Sequence, residues 1–326
     1  MIDRLVSGRR QPGTTELGPG DDAAVVRCAD GRTVVSTDML VEGRHFRLDW
    51  STPHDVGRKA IAQNAADVEA MGARPTAFVV GFGAPAHTPA DDAAALADGM
   101  WAEVARLGAG VVGGDLVQAD SWVVSVTVLG DLTGRAPVLR SGARPGAVVA
   151  VTGELGRAAA GFRLWSDGVA GTGDFEELRR RHLVPQPPYG QGAVAADAGA
   201  QAMTDVSDGL IADLGHLASA SQVTIEVFRA ALAADHQALA AVGAAVGTDP
   251  WSWVLGGGED HALVAVFPDP AFPDPAFPDT AFPGAVPVGW RVIGRVADGP
   301  PQVLVDGVDW SGQAGWQSYD SGPPIR

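Results

Sequence analysis

Hydroxyl and carboxylate side chains follow an apolar run near the start of the chain. Residues 33–35 (Thr-Val-Val) are β-branched, as is typical of a buried strand, and Ser36, Thr37 and Asp38 come next. Polar groups at the end of an apolar strand stand where α/β folds usually place their chemistry. We therefore predict that the strand ends at Ser36 and that these oxygens are candidate ligands for Mg²⁺, which prefers oxygen donors.

Two adjacent carboxylates, Asp21 and Asp22, stand just upstream of a second predicted strand, residues 23–26. If that strand pairs with residues 33–35, several oxygen ligands converge at one end of a sheet. Any single Asp or Ser has an ordinary alternative, since these residues also cap turns. The cluster as a whole favours a cation site.

Two glycines and a carboxylate follow another apolar run. Gly113, Gly114 and Asp115 come after residues 111–112, which we predict to be a strand. Because glycine lacks a Cβ, a phosphate could approach the backbone closely there. The run also matches G-x-G-x-x-G from Gly108, but a helix precedes it and a strand runs through it, so we reject a dinucleotide-binding site of the Rossmann type.

The segment TDVSDGL, residues 204–210, leads into a predicted helix that ends near Ala220. Ser207 or Asp208 is placed to cap that helix. The same segment would present carboxylates, a hydroxyl and free backbone N–H groups to an anion–metal complex. Capping needs one residue, whereas Asp205, Ser207 and Asp208 occur together, so a binding site is favoured.

A predicted helix over residues 54–71 carries Lys59, Gln63 and Asp67 on one face, because they are spaced four residues apart. Lys59 is the only lysine in the chain. One interpretation is that an ammonium group, rather than a guanidinium, is required at this place. The interpretation that the sequence favours is a solvated helix face on which one lysine occurs by chance.

Composition limits the classes of protein. A chain of 326 residues is long enough for two domains, and a formal net charge of −16 argues against nucleic acid as a partner. The single cysteine, Cys28, excludes a disulfide framework and a thiolate zinc site, and we interpret it as inert packing. The N-terminus lacks the apolar segment of a signal peptide, and no apolar run reaches spanning length. We expect a cytoplasmic enzyme without membrane contact.

Hydrophobic periodicity predicts the remaining elements. They are a short helix in the first dozen residues, a helix at 90–107, and strands at 77–81, 123–129, 147–152, 262–267, 291–296 and 302–305. Residues 133–146, rich in Gly, Pro and Arg, are interpreted as an interdomain linker, in which Arg140 is either a surface residue or a ligand for a nucleotide phosphate. Residues 267–284 repeat Phe-Pro-Asp, so we expect them to be extended or disordered and free of catalytic groups.

Two motifs remain ambiguous from their residues alone. The run LGGGED, residues 255–260, ends in Glu259 and Asp260 and could form only a tight turn before a strand. Near the C-terminus, Trp316 and Tyr319 either pack in a core or stack on a flat ligand ring.

The motifs occur in an order that resembles the thiamine-monophosphate kinases, a family of the aminoimidazole-ribonucleotide-synthetase-like superfamily. The motifs that carry this resemblance are GDDAAVV (20–26), STDMLVEGRHF (36–46), residues 64–67 on a helix that ends in AMGA, GGD (113–115), LRSGARPG, DVSDGLIADLGH (205–216) and GGED (257–260). The likeness covers nearly the whole chain. The Phe-Pro-Asp repeat departs from the family pattern as an insertion, and the C-terminal aromatic motif matches only approximately.

The resemblance implies direct in-line transfer of the ATP γ-phosphoryl group to thiamine monophosphate, with no covalent enzyme intermediate and therefore no nucleophilic residue. It implies several Mg²⁺ ions and leaves open whether K⁺ assists. By similarity, the magnesium ligands are Asp22, Ser36, Thr37, Asp38, Asp67, Asp115, Asp205 and Asp208. The residues that border ATP are Gly114, Asp115, Arg140 and Ser207, and those that hold thiamine phosphate are His45, Glu259 and one of Trp316 and Tyr319.

The resemblance also implies an α/β (α+β) fold of two domains, residues 1–136 and 143–326, with the Phe-Pro-Asp insertion in the second. The first domain would contribute strands to a β-barrel shared with a second subunit of a homodimer, and the second would be an α/β sandwich. An interdomain site for magnesium and ATP follows from this arrangement.

Elementary electrostatics agrees with this set of ligands. Two unit charges about 4 Å apart repel by roughly 4 kcal/mol at an effective dielectric constant of about 20, so a pocket with this many carboxylates needs cations. The chain has no Walker A or protein-kinase signature. Two alternatives stay open: another ATP-using member of the superfamily (selenophosphate synthetase, the hydrogenase-maturation dehydratase or the purine cyclo-ligase), and a magnesium–nucleotide-binding module without turnover.

Overall fold

The computed structural model describes residues 8–17, 23–269 and 286–315. They divide into two compact units. The first unit holds the residues up to Val68 together with Ala73–Gly134, and the second holds Glu69–Gly72 and the residues from Arg135 onward. Among the described residues, no helix is long and apolar enough to cross a membrane.

The first unit is built on a four-stranded sheet covered by two long helices. Its elements are β1 (Thr15–Leu17), β2 (Val25–Val26), β3 (Val34–Val41), α1 (Pro53–Ala70), β4 (Arg74–Ala84), α2 (Ala90–Leu107), β5 (Gly110–Gln118) and β6 (Val123–Asp131). The sheet has the order β3-β6-β4-β5, in which only β4 and β5 are parallel, and α2 makes their crossover. Strands β1 and β2 pair separately as an antiparallel ribbon.

The second unit is built on a seven-stranded sheet. Its elements are β7 (Val148–Thr152), α3 (Arg157–Ser166), α4 (Asp174–Leu183), α5 (Gln191–Asp197), β8 (Ala202–Val206), α6 (Leu210–Ser221), β9 (Thr224–Val227), a 3₁₀ turn (Arg229–Leu232), α7 (Ala233–Ala238), α8 (Ala240–Val246), α9 (Trp251–Gly256), β10 (Ala262–Phe267), β11 (Arg291–Ala297), β12 (Gln302–Val305) and β13 (Val308–Asp309). The strand order is β13-β12-β9-β11-β7-β10-β8, and only β9 and β12 are parallel.

Both faces of the second sheet are buried. Alternate residues of β10 point into different apolar clusters: Val264 and Val266 belong to one, and Leu263 and Ala265 belong to the other. The larger cluster includes leucines of α3 and α6, whereas the smaller one includes Ala195 of α5. A sheet that is covered on both faces explains why β10 is apolar at every position.

The long periodic segments were predicted correctly. Helices α1 and α2 and strands β6, β7, β10, β11 and β12 agree with the sequence to within a few residues. Periodicity missed the short helices α7, α8 and α9, as well as α4 and the strands β8 and β9. The helix expected in the first dozen residues falls largely outside the described residues, and so does most of the Phe-Pro-Asp repeat.

Two predicted strand ends were wrong. Strand β3 continues through Ser36 and Asp38 to Val41, and β5 continues through Asp115 to Gln118, because each stays paired with its neighbour over that length. Polar residues therefore lie inside these strands and not beyond their ends. The pairing of residues 23–26 with β3 was also wrong, since β2 pairs with β1.

Helices α1 and α2 approach each other closely at two glycines. A Cβ atom at Gly57 would lie 2.0 Å from the carbonyl oxygen of Leu96, and one at Gly99 would lie 2.0 Å from that of His54. Contacts this short are impossible without backbone movement. The two glycines therefore set the distance at which α2 packs on α1.

We expect Gly99→Ala to lower the free energy of unfolding by about 1–3 kcal/mol, because the added methyl group overpacks the α1–α2 interface. The matched control is Gly215→Ala in α6, where a Cβ meets nothing within 4 Å. That change should stabilise the chain by up to about 1 kcal/mol, because alanine is the better helix former. Urea unfolding followed by circular dichroism measures both, and equal stabilities for Gly99→Ala and the wild type would contradict the packing argument.

Candidate functional site

The polar centre of the first unit lies between β3 and α1. The hydroxyl of Ser36 donates to Asp67 Oδ2 (2.6 Å), and Gln63 Nε2 donates to Asp38 Oδ2 (3.3 Å). The backbone N–H of Asp38 donates to Asn64 Oδ1 (3.0 Å). The sheet face toward α1, which we call the inner face, therefore carries the Ser36 hydroxyl and the Asp38 carboxylate, and each side chain bonds to a polar side chain of α1, Asp67 or Gln63.

Thr37 lies on the opposite, outer face of the same sheet, because successive side chains of a strand alternate. Its hydroxyl donates to the carbonyl of Val126 (2.9 Å) and accepts from the hydroxyl of Thr127 (3.1 Å). The structure thus brings Ser36 and Asp38 together and directs the Thr37 side chain away from them.

The register of the sheet places the Gly-Gly-Asp run relative to these acids. Asp38 aligns with Val126, Val80 and Gly114 across the four strands, whereas Asp115 belongs to the next row, on the outer face. Asp115 is exposed, and its Oδ1 accepts the N–H of Leu116 (2.9 Å). A Cβ at Gly114 would lie 2.1 Å from the carbonyl oxygen of Val80, so the glycine is needed for strand packing.

Lys59 is buried, and the favoured interpretation of a solvated helix face was wrong. Its side chain is 1% exposed, Gln63 beside it is buried as well, and its Nζ donates to the carbonyl oxygen of His45 (3.0 Å). His45 lies in the turn after β3, and its Nδ1 accepts the N–H of Val41 (3.0 Å). The single lysine therefore fixes, by a hydrogen bond, the backbone of His45, a residue predicted to bind the substrate.

The segment from Asp205 to Asp208 begins within β8 and continues past its end, where Asp213 fixes the backbone. Helix α6 has Gly209 at its N-cap without a side-chain cap, so capping by Ser207 or Asp208 was a wrong prediction. Asp213 Oδ2 instead accepts the N–H groups of Asp208 (3.1 Å) and Gly209 (3.0 Å), which are consequently not free for an anion. Burial raises the pKa of Asp213 to about 7, and the charge of nearby Asp205 adds to the rise.

The GGED turn carries two buried groups as well as Glu259. Asp260 accepts the N–H groups of Gly156 (2.5 Å) and Ala158 (2.8 Å) at the start of α3, and burial raises its pKa to about 7. His261 Nδ1 lies 3.0 Å from Asp205 Oδ2. The turn therefore does more than connect two elements. Asp260 fixes the start of α3, and His261 contacts the predicted ligand Asp205.

Two left-handed residues flank Asp260. Glu259 has φ = 65° and His261 has φ = 52°, values that cost a non-glycine residue of order 1–2 kcal/mol each. Backbone bonds to β8 and the segment after it offset this cost, since Glu259 N donates to Ser207 O (2.7 Å) and His261 N donates to Val206 O (2.9 Å). Glu259 also pairs with buried His182, with 3.3 Å between Oε2 and Nδ1.

The remaining predicted residues are placed as follows. Arg140 is exposed, and its carbonyl oxygen accepts from Ser221 Oγ (2.9 Å). Asp208, Asp213 and His216 offer ligand atoms within 4.8 Å of one another, the one such group of three found among the described residues. Asp22, Trp316 and Tyr319 lie outside the described residues.

Sequence patterns did not single out Asp213, Asp260, His261 or His182. A signal existed for Asp213, because an acid in the first turn after a glycine is typical of a helix N-terminus. None existed for His261 and His182. His261 and its partner Asp205 are 56 residues apart, and the separation between His182 and Glu259 is larger still. Such long-range pairs depend on tertiary structure.

Comparisons with known proteins match most of the chain. The family model for the AIR synthase related protein, N-terminal domain, matches residues 20–132, and that for its C-terminal domain matches residues 144–306. The thiamine-monophosphate kinase of Mycobacterium tuberculosis (strain H37Rv) is 69% identical over 319 residues, which are 98% of this chain and 90% of the relative. That of Corynebacterium glutamicum is 43% identical and covers 92% of this chain and 88% of its own.

Solved structures agree as well. The thiamine-monophosphate kinase from Stenotrophomonas maltophilia K279a superposes with a TM-score of 0.76 at 33% identity, covering 95% of each chain. A structure described as AaThiL complexed with AMPPCP and TMP gives 0.75 at 30% identity, covering 92% of this chain and 91% of the other. Together these matches confirm the predicted fold class of two synthetase-like α/β domains.

The buried carboxyl group of Asp260 predicts a pH-dependent stability. Its folded pKa of about 7 exceeds the usual value of 3.8, so between about pH 4 and pH 7 the folded chain keeps a proton that the unfolded chain has released. This group therefore lowers the free energy of unfolding as pH rises through that window, by at most about 1.4 kcal/mol per pH unit.

Asp260→Asn removes the titrating group, so its free energy of unfolding should fall less steeply between pH 4 and pH 7 than that of the wild type. Urea unfolding at several pH values measures the difference, and Asp298→Asn, an exposed residue, is the control that should keep the wild-type slope. Identical slopes for Asp260→Asn and the wild type would contradict the assigned pKa.

Proposed function

The chain belongs to the thiamine-monophosphate kinase family, and we propose that it transfers the γ-phosphoryl group of ATP to thiamine monophosphate, giving thiamine diphosphate. The observation that carries this proposal is the 69% identity to a thiamine-monophosphate kinase over 98% of the chain. The relative with a bound ATP analogue and TMP supports the two ligands.

A chain with one cysteine cannot depend on disulfides, which agrees with a reducing compartment such as the cytoplasm.

We propose magnesium as the cation, because the predicted ligands suit it. Ser36 and Asp38 on β3 and Asp67 on α1 are hard oxygen donors on facing sides of the inner face, and Asp205 and Asp208 supply further carboxylates. Magnesium bound by these residues would neutralise the charge of the phosphates during transfer. We propose these residues as magnesium ligands, and we assign no residue to K⁺.

His45 is suited to hold a phosphate group. Because its Nδ1 accepts a hydrogen bond from Val41 N, the proton of the neutral imidazole is on Nε2, which can donate to a phosphate oxygen. Lys59 fixes the backbone at the same residue. Positioning of this kind is the main contribution that a protein makes to phosphoryl transfer.

Glu259 is suited to the cationic part of thiamine phosphate. Its carboxylate is half-buried and lies 3.3 Å from His182 Nδ1, so it presents a negative charge beside that imidazole. We propose that Gly114, Asp115, Arg140 and Ser207 border ATP, and that Trp316 or Tyr319 stacks on the substrate.

The alternatives in the same superfamily rest on fold alone. The hydrogenase maturation protein HypE matches with a TM-score of 0.70, but at 18% identity. A nucleotide-binding module without turnover would bind magnesium and ATP and make no product. The assay below separates these possibilities.

The purified protein with ATP, magnesium and thiamine monophosphate should form thiamine diphosphate, measured by chromatography. Asp38→Asn and Asp208→Asn should each lower the rate by about 100-fold or more, because each removes a charged ligand that stabilises the transferred group. Circular dichroism checks that both variants fold, and Asp298→Asn is the matched surface control. A wild type that makes no thiamine diphosphate at saturating magnesium would contradict the proposed function. A variant with wild-type activity would contradict the assignment of the substituted residue as a magnesium ligand.

We further propose that two copies pair through the outer face of the first sheet. Val35 and Met39 of β3 are 58% and 52% exposed, and Val117 of β5 is 57% exposed. The register of the sheet puts all three on this face. An apolar sheet face of this kind marks an interaction surface, and it fits the shared barrel that the resemblance implies.

The wild type should therefore have about twice the chain mass of 33.4 kDa in light scattering after size-exclusion chromatography. The double change Val35→Glu and Met39→Glu should give a monomer, because it would bury like charges against each other in the dimer. Val308→Glu, which changes an exposed valine of β13, should leave the dimer intact. A monomeric wild type would exclude this interface.

A further inference from the structure

A buried imidazole contacts a buried carboxylate beside the predicted magnesium ligands of the second unit. His261 and Asp205 are 5% and 2% exposed, and 3.0 Å separates His261 Nδ1 from Asp205 Oδ2. Asp205 is a predicted ligand, whereas nothing in the proposed reaction uses His261. The proposed reaction therefore does not yet explain why His261 contacts Asp205.

Backbone pairing between β8 and β10 places the two residues next to each other. Strands β8 and β10 are antiparallel, with Ala262 opposite Val206 and Leu263 opposite Asp205. The N–H of His261 donates to the carbonyl of Val206 (2.9 Å), which continues the ladder by one residue. His261 adopts its left-handed conformation in this position, and its imidazole reaches the carboxylate on the neighbouring strand.

The chemistry of the contact assigns the proton. As a magnesium ligand Asp205 would be an ionised carboxylate, which can only accept hydrogen bonds, so Nδ1 of His261 would donate in that state. The bond occupies Oδ2 and leaves Oδ1 of Asp205 for another partner. A carboxylate this deeply buried would otherwise rotate or stay unpaired at a large cost in solvation.

We propose that His261 is a positioning residue, which holds the Asp205 carboxylate in one orientation so that Oδ1 can bind the magnesium that accompanies ATP. The inference rests on the proposed function, because it takes Asp205 as a magnesium ligand. Partners of this kind, which orient a ligand without touching the metal, commonly change metal affinity by about 10–100-fold when they are removed.

Two substitutions separate positioning from folding. Asparagine tolerates positive φ and keeps a side-chain N–H near the place of Nδ1, so His261→Asn should bind close to wild-type strength. Glycine adopts positive φ without strain and has no donor, so His261→Gly should keep the fold and lose the hydrogen bond. Calorimetric titration of the full chain with AMPPCP in the presence of magnesium measures binding without turnover.

We expect His261→Gly to weaken binding of magnesium–AMPPCP by about 10–100-fold and to raise the magnesium concentration for half-maximal rate by a similar factor. Its thermal unfolding midpoint without ligand should stay near that of the wild type, and His261→Asn should restore both binding values. The KM for thiamine monophosphate should change little.

Several results would overturn the inference. They are wild-type affinity in His261→Gly, a glycine variant that no longer folds, equal losses in the glycine and asparagine variants, and a wild type that does not bind magnesium–AMPPCP. Failure of the proposed function looks different. A wild type whose binding of magnesium–AMPPCP is weakened in His261→Gly, yet which forms no thiamine diphosphate, would overturn thiamine monophosphate as the acceptor and leave the role of His261 in place.

Discussion

Buried carboxylates that accept two backbone N–H groups each determine the shape of the second unit. Asp213 binds the N–H groups at the start of α6, Asp260 those at the start of α3, and Glu69 those of Gly190 and Gly192. A buried carboxylate without such partners would be costly, and a helix start without an acceptor would leave donors unsatisfied. Each acid thus satisfies backbone donors and is itself compensated for its burial, and Asp213 does so at the predicted ligand Asp208.

The first unit obtains its polar centre in a different way. Its polar residues Ser36 and Asp38 lie on the inner face of a sheet, where β3 directs them toward α1 and directs Val35 and Thr37 to the outer face. Polar residues on a face that a helix covers would destabilise an ordinary core. Here Asp67, Gln63 and Asn64 on α1 provide partners for them, so the helix and the strand form one hydrogen-bonded layer.

Local sequence patterns predicted the long elements of the fold and not the contacts between distant residues. Long elements such as α1 and α2 were predicted because a helix repeats its apolar residues many times, and the acids were proposed as ligands because they cluster in short motifs. The end of β3 was wrong, since polar residues on a helix-covered inner face look like a turn in the sequence. The contact of His261 with Asp205, and the burial of Lys59, depend on residues far apart in the chain, which no local pattern records.

The burial of Lys59 has a practical consequence for the chemistry of this chain. Because it is the only lysine and is 1% exposed, the folded protein offers amine-directed reagents essentially no side chain to modify. Acylating or cross-linking agents would reach it only when α1 separates from the turn that carries His45. The chain therefore contains a natural chemical reporter at one position, whose labelling rate measures how often that part of the first unit opens.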